Sequence, residues 1–250
     1  SGAVLLETLP ALMNEIHFVK TMRWNESKVA FSRPLRWFVA MLGETAIPFE
    51  FAGITAGKTT RGLRPYGSPE IEISSADAYF ATIENAGIVL DEAERKAQVL
   101  AQITAVAKEA GGEVLPNDDL LLEVTHLVEK PTAFLGKFPE EYLELPRDVL
   151  IKTMQKHQRY FAVLSPLGGE MSAGQRGGLL PYFVGVRNGD AEHLDKVIVG
   201  NEHVINARFA DANFFVREDI KKPLEKFRPE LSTLTFQTEL GSMLEKSDRM

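Results

Sequence analysis

Apolar residues near the start of the chain recur every three or four positions. Leu5, Leu9, Leu12, Ile16 and Val19 predict an amphipathic helix over Leu5–Thr21, entered or interrupted at Pro10. From Pro34 to Gly43 the spacing collapses into a dense run, Leu35, Trp37, Phe38, Val39, Met41 and Leu42. That run predicts a buried strand, a turn at Gly43-Glu44-Thr45 and a second strand around Ile47–Phe51. Gly53–Pro69 is rich in Gly, Thr and Pro without apolar periodicity, which predicts a long ordered loop. Ile71–Ile73 reads as a short strand. Ser74 or Ser75 is placed to cap a helix from Ala76 that Gly87 closes, and Ile88–Leu90 reads as another strand. Asp91 then caps a long helix to Ala110, ended by Gly111-Gly112.

The second half continues the alternation. Leu120–Val128 predicts a helix, Thr132–Phe138 a strand and Arg147–His157 a short helix. Strands at Tyr160–Leu164 and Tyr182–Val186 flank a connection holding Gly168-Gly169, Gly174 and Gly177-Gly178, read as a mobile hairpin link. Helical spacing returns over Asp190–Val216, where Leu194, Val197, Ile198, Val204, Ile205 and Phe209 line one broad face. Pro223–Pro229 resembles a linker, and Phe236–Met250 opens a fresh helical pattern that the end of the chain cuts off, so a second domain is expected to begin there. The expected class is α/β in the mixed α+β sense.

The 250 residues are 44% apolar, enough for a sizeable core, yet runs such as Val4–Leu6 and Phe38–Leu42 fall far short of a membrane span. There is no cysteine, which excludes disulfides, thiolate metal sites and a cysteine nucleophile. Ser1-Gly2-Ala3 has no initiator Met and reads as the remnant of a cleaved tag. A net charge of −7 argues against a protein that coats nucleic acid nonspecifically. Its distribution changes that picture. Glu70–Leu145 carries 16 acids against 5 bases, while Phe51–Pro69 holds Lys58, Arg61 and Arg64 with no acid. Arg147–Arg176 adds five bases against Asp148 and Glu170. An acidic chain with local basic stretches can hold a polyanion at one face.

Familiar catalytic patterns are missing. No Gly-rich loop ends in Gly-Lys-Ser or Gly-Lys-Thr, no GxGxxG joins a strand to a helix, and no GxSxG elbow occurs. His17, His126, His157, His193 and His203 form neither HxxxH nor HExxH. Acidic pairs such as Asp118-Asp119, Glu140-Glu141 and Glu218-Asp219 suit helix ends and solvent. Two basic stretches remain. Lys58-Thr59-Thr60-Arg61-Gly62-Leu63-Arg64 offers cations, hydroxyls and a glycine for phosphate or ribose. Equally, it is a structural loop whose cations pair with the acidic region. On a helix, Lys152, Lys156 and Arg159 share one face beside Tyr160, a stacking group, or form a solvated surface. Arg208 and Asp211 are spaced for an internal ion pair.

Several of these segments carry a resemblance. Met22-Arg23-Trp24, Phe31-Ser32-Arg33-Pro34-Leu35-Arg36-Trp37, Ile47-Pro48-Phe49-Glu50 and Thr59-Thr60-Arg61-Gly62 come first. Later come His126-Leu127-Val128-Glu129-Lys130-Pro131, Lys156-His157-Gln158-Arg159-Tyr160-Phe161, Leu180-Pro181-Tyr182-Phe183, Gly200-Asn201-Glu202 and the stretch from Ala207-Arg208-Phe209 to Asn213-Phe214-Phe215. Together, in this order, they resemble the N-terminal half of the bacterial glycyl-tRNA synthetase β subunit. The resemblance implies a B3/B4-like accessory domain over residues 1–235, a mixed sheet flanked by helices, with 236–250 as the first helix of an HD-type domain. It also implies a cytoplasmic heterotetramer of two α and two β chains acting on tRNA-Gly, with ATP and magnesium used by the α subunit and no cofactor, catalytic residue or metal in this chain. Lys58, Arg61, Arg64, Lys152, Lys156 and Arg159 are then the candidate contacts to tRNA or to the α subunit. Two rival roles are an editing hydrolase, as in the related domain of phenylalanyl-tRNA synthetase, and a pure docking scaffold for the α subunit. A synthetase for glycine, the smallest amino acid, excludes larger ones sterically and has less need of editing.

Overall fold

The computed structural model describes residues 2–166 and 178–250. The glycine-rich link, from Gly168 to Gly177, and Arg176 therefore lie outside the described residues. The chain is α+β. It divides into two compact units, the first made of Ser1–Gln102, Leu121–Thr132 and Val186–Ala191, and the second of Ile103–Leu120, Ala133–Gly185 and Glu192–Met250.

The first unit opens with α1 (Gly2–Glu15), which tolerates Pro10 but stops six residues short of the predicted end. Small hairpins follow: β1 (Met41–Leu42) with β2 (Thr45–Ala46), and β3 (Glu50–Phe51) with β4 (Ile54–Thr55). Thus the dense run at 35–42 is largely irregular backbone, and the turn at Gly43 is where it was expected. The predicted loop from Gly53 instead supplies β4 and β5 (Thr59–Arg61), the latter paired with β6 (Glu70–Glu72). Two- and three-residue strands are too short to show a period of two, so their sequences read as loop. At the β3–β4 turn Ala52 and Gly53 both have positive φ, 54° and 75°, the twist a two-residue hairpin needs. Asn25 holds this turn by donating from Nδ2 to the Ala52 carbonyl at 2.8 Å. Phe49, Phe51, Ala52 and Ala56 form the local core, with Trp24, Phe31, Leu35 and Phe38 packed on it.

Ser75 Oγ accepts from the Ala78 amide at 3.2 Å, and the regular part of α2 (Tyr79–Asn85) begins after that turn. Ile88–Leu90 is not a strand; Val89 makes a single backbone bond to Glu129. Asp91 does cap α3 (Glu92–Glu109), its Oδ1 accepting from the Glu94 amide at 2.8 Å. Gly111, at φ 74°, ends that helix while the Gly112 amide donates to Ala107 O at 3.0 Å. The last two segments of the first unit are tied to the first. Asn188 Oδ1 accepts from the amides of Glu129 (3.0 Å) and Lys130 (2.9 Å), and the Asp190 amide donates to the Tyr66 hydroxyl at 2.9 Å. Three stretches of the first unit, around Tyr66, Glu129-Lys130 and Asn188–Asp190, therefore meet in a knot of hydrogen bonds.

In the second unit β7 (Glu113–Val114), β9 (Phe161–Leu164), β10 (Leu179–Asn188) and β8 (Pro131–Lys137) make a four-stranded sheet in the order β7-β9-β10-β8, β9 antiparallel to both β7 and β10. β8 and β10, neighbours in that order, begin and end respectively in segments of the first unit. α4 (Asp118–Leu127), capped by Asn117, and α5 (Arg147–Thr153) precede α6 (Leu194–Asp219). Leu150, Met154, Phe183, Ile205 and Phe209 are fully buried in this unit's core. Gly136 on β8 and Gly185 on β10 are each covered by a ring. A Cβ at Gly136 would lie 2.6 Å from Cε1 of Phe183, and one at Gly185 would lie 2.8 Å from Cε1 of Phe134. The sequence reads Phe-x-Gly on both strands, Phe134-Leu135-Gly136 and Phe183-Val184-Gly185, and period-two alternation sets each Phe and Gly on one face.

At the C-terminus β11 (Thr235–Gln237) pairs with β12 (Gly241–Ser242) before α7 (Met243–Arg249). The helix expected from Phe236 therefore starts at Met243. Gly241, at φ 78°, and a reciprocal Ser242–Glu245 capping box fix that start. Pro223–Pro229, read as a linker, holds the 3-10 turn Leu224–Lys226 and the start of a second, Arg228–Thr233. Arg208 and Asp211 do not pair; both point into water, where a three-residue ion pair gains only a few tenths of a kcal/mol.

Candidate nucleic-acid interface

The six candidate cations fall in different units, Lys58, Arg61 and Arg64 in the first and Lys152, Lys156 and Arg159 in the second. In the first group, hairpin register decides the partners. Arg61 stands opposite Glu70 on β6, and its Nη2 lies 2.7 Å from Glu70 Oε1. Lys58 Nζ reaches Glu72 Oε1 at 2.6 Å, and that hydrogen bond, aided by the charge, holds the Glu72 carboxyl below its usual range. Both pairs are solvent-exposed, so each contributes little and can exchange partners with a phosphate. Arg61 also lies 5.9 Å from the Trp37 ring centroid. Arg64 differs. It opens a 3-10 turn (Arg64–Tyr66) that Gly67 closes at φ 78°, it is exposed, and no carboxylate among the described residues pairs with it.

In the second group the backbone departs from the expected helix. α5 ends at Thr153, Met154–Gln158 forms a π turn, and Arg159 terminates it at φ 55°. The wider turn breaks the four-then-three spacing that would align Lys152, Lys156 and Arg159 on one α-helical face. Lys152 and Lys156 are exposed without an acidic partner among the described residues, while Arg159 donates to His157 O at 3.4 Å. Tyr160 is not a stacking group for a ligand. It is 4% exposed, lies on Phe183 with centroids 4.4 Å apart, and gives its hydroxyl proton to Asn201 Oδ1.

Burial pushes the Tyr160 phenol up from 10 to about 12. An acid whose folded pKa exceeds its unfolded value adds stability that is fully present below pH 10 and is lost as the pH rises through about 12. Urea unfolding across that window is expected to show a fall in wild-type stability that Tyr160→Phe reduces; identical pH profiles would remove the titration from the account.

Sequence reading passed over a cleft of about 370 Å³ in the first unit, lined by Trp37, Phe38, Val39, Met41, Thr60, Ile73, Ala76, Tyr79 and Phe80. The signal was the dense run at 35–42, assigned wholly to the interior although Trp37 is 38% exposed. Among the described residues no group of three or more His, Cys, Asp or Glu side chains is placed to hold a metal ion, and no helix is long and apolar enough to cross a membrane.

A family model described as glycyl-tRNA synthetase beta subunit matches residues 1–250. The chain is 44% identical over 250 residues to the glycine–tRNA ligase beta subunit of Clostridioides difficile (strain 630), covering all of this chain and 35% of that protein. The corresponding Halothermothrix orenii protein is 43% identical over 250 residues, again with 35% of its length covered. A chloroplastic/mitochondrial glycine–tRNA ligase of Arabidopsis thaliana is 42% identical over 247 residues, 99% of this chain and 22% of that protein. The chain thus spans about a third of the bacterial relatives' length.

Proposed function

Because the chain belongs to the glycyl-tRNA synthetase β-subunit family, we propose that it is a non-catalytic part of a glycine–tRNA ligase, lending contacts to tRNA-Gly and to an α subunit. On this reading ATP, magnesium and glycine are handled by the α subunit of an α2β2 assembly, and this chain supplies surface. The observation that carries the tRNA half is the set of exposed cations without acidic partners among the described residues, Arg64 in the first unit and Lys152 and Lys156 in the second, on a chain of net charge −7. Lys58, Arg61 and Arg159 take secondary places, since each already has a partner within the protein. Cations of this kind position an RNA by its phosphates without reading its bases.

Titrating labelled tRNA-Gly against the chain at rising salt tests this directly. Affinity is expected to fall linearly on a log–log plot, and Arg64→Ala is expected to lower the slope by about 1, the share of a single phosphate contact. Lys152→Ala with Lys156→Ala is expected to lower it by about 2. Slopes unchanged in both variants would remove these residues from the interface, and a chain that binds the α subunit but no tRNA would leave only the docking role.

A further inference from the structure

Residues 20–64 carry eight bases against three acids, the reverse of the chain as a whole. Five of the nine residues lining the cleft, Trp37, Phe38, Val39, Met41 and Thr60, lie in this stretch, and the other four, Ile73, Ala76, Tyr79 and Phe80, follow it. Arg36 and Arg61 flank the cleft, each guanidinium 5.9 Å from the Trp37 ring centroid. Arg36 is exposed and has no acidic partner among the described residues. Trp37 spends its one donor inside the protein, Nε1 to Thr60 Oγ1 at 3.3 Å. Thr60 and Tyr79 bring the hydroxyl groups to a lining that is otherwise apolar apart from Trp37. Tyr79 and Phe80 complete the aromatic lining, their rings edge to face at 5.6 Å, with Phe80 69% exposed.

We propose that this cleft takes one unstacked base of a single-stranded RNA segment, with the flanking phosphates on Arg36 and Arg61. The inference rests on the RNA-contact reading above and adds a site to it. At about 370 Å³ the cleft lies at the small end of the range of about 300–1,000 Å³ for small-molecule sites, which suits a base and not a folded element. Unstacked bases are bound on aromatic faces with cations along the backbone, and that pairing of groups is what the cleft presents. A protein side chain could fill the same volume. The two guanidinium groups beside Trp37, that of Arg36 with no acidic partner among the described residues, favour a polyanion, because an apolar plug gains nothing from them.

The test compares two labelled probes on the whole chain, hexa-adenylate and an abasic ribose-phosphate hexamer of the same charge. The abasic probe reads the cations alone, and the difference between the probes reads the cleft. Wild type is expected to prefer hexa-adenylate roughly 5- to 100-fold, the effect of one stacked base. Phe80→Ala is expected to abolish the preference and Phe80→Trp to keep it, with abasic affinity constant. Because Phe80 is largely exposed, thermal melts should match wild type and separate lost binding from lost fold. Equal binding of both probes by wild type overturns the cleft and leaves the phosphate reading standing. Failure of both probes to bind overturns both. Loss of α-subunit binding by Phe80→Ala with base preference untouched would make the cleft a protein anchor and end the RNA assignment.

Discussion

Gly185→Ala is expected to destabilise the second unit by about 3 kcal/mol, at the upper end of overpacking costs. The added methyl would enter the Phe134 ring, 2.8 Å from Cε1 and 2.9 Å from Cε2. Phe134 has little room to turn, being 4% exposed and set edge to face with Phe183 at 6.4 Å. Gly136→Ala meets the mirror problem against Phe183, which is fully buried and stacked on Tyr160. The cost comes from shape and not from backbone freedom, since neither glycine has a positive φ. Trimming the opposing ring should therefore relieve it. Urea denaturation of Gly185→Ala, Phe134→Leu and the double variant would measure this; a double variant as unstable as the sum of the two single changes would show that the ring is not what the methyl strikes.

Phe209→Ala is expected to cost about 4 kcal/mol, the midpoint for truncating a buried phenylalanine. Phe209 is 0% exposed in the middle of α6, with Phe138 edge to face at 4.9 Å and Tyr142 tilted at 5.5 Å. Phe138 directly follows β8 and Tyr142 lies in the 3-10 turn Glu140–Glu144, so removal opens a cavity where these segments meet α6. The neighbouring Arg208→Ala, on the exposed face and without an ion pair, should change stability by less than about 0.5 kcal/mol. Urea midpoints separated by less than about 1 kcal/mol would contradict the central place given to Phe209.

The same contrast explains what the sequence disclosed. α3, α4 and α6 were legible because long periodic stretches meet local start and stop signals, such as Asp91 before α3 and Gly111 after it. Of the hairpins between 41 and 61 only the turn at Gly43 was legible, because strands of two or three residues show no periodicity and the β3–β4 pair depends on its turn at Ala52-Gly53. For the candidate interface, composition alone pointed to the cations. Their partners depend on β5–β6 register, which pairs Arg61 with Glu70 and sets Lys58 by Glu72, and register is a tertiary choice. Tyr160 was misjudged for the same reason. The cations just before it, Lys152, Lys156 and Arg159, made it look external, whereas β9 and the π turn before it send the ring into the core.

The knot that joins Tyr66 and Glu129-Lys130 to Asn188-Gly189-Asp190 has a consequence for a chain made from its N-terminus. The first unit is completed only when Val186–Ala191 arrives, long after Gln102. At about 5–20 residues per second, roughly 85 further residues take about 4 to 17 s to synthesise. For that interval residues 1–102 lack the segment that fastens them, and β10, the strand that joins β8 to β9, arrives in the same stretch that closes the first unit.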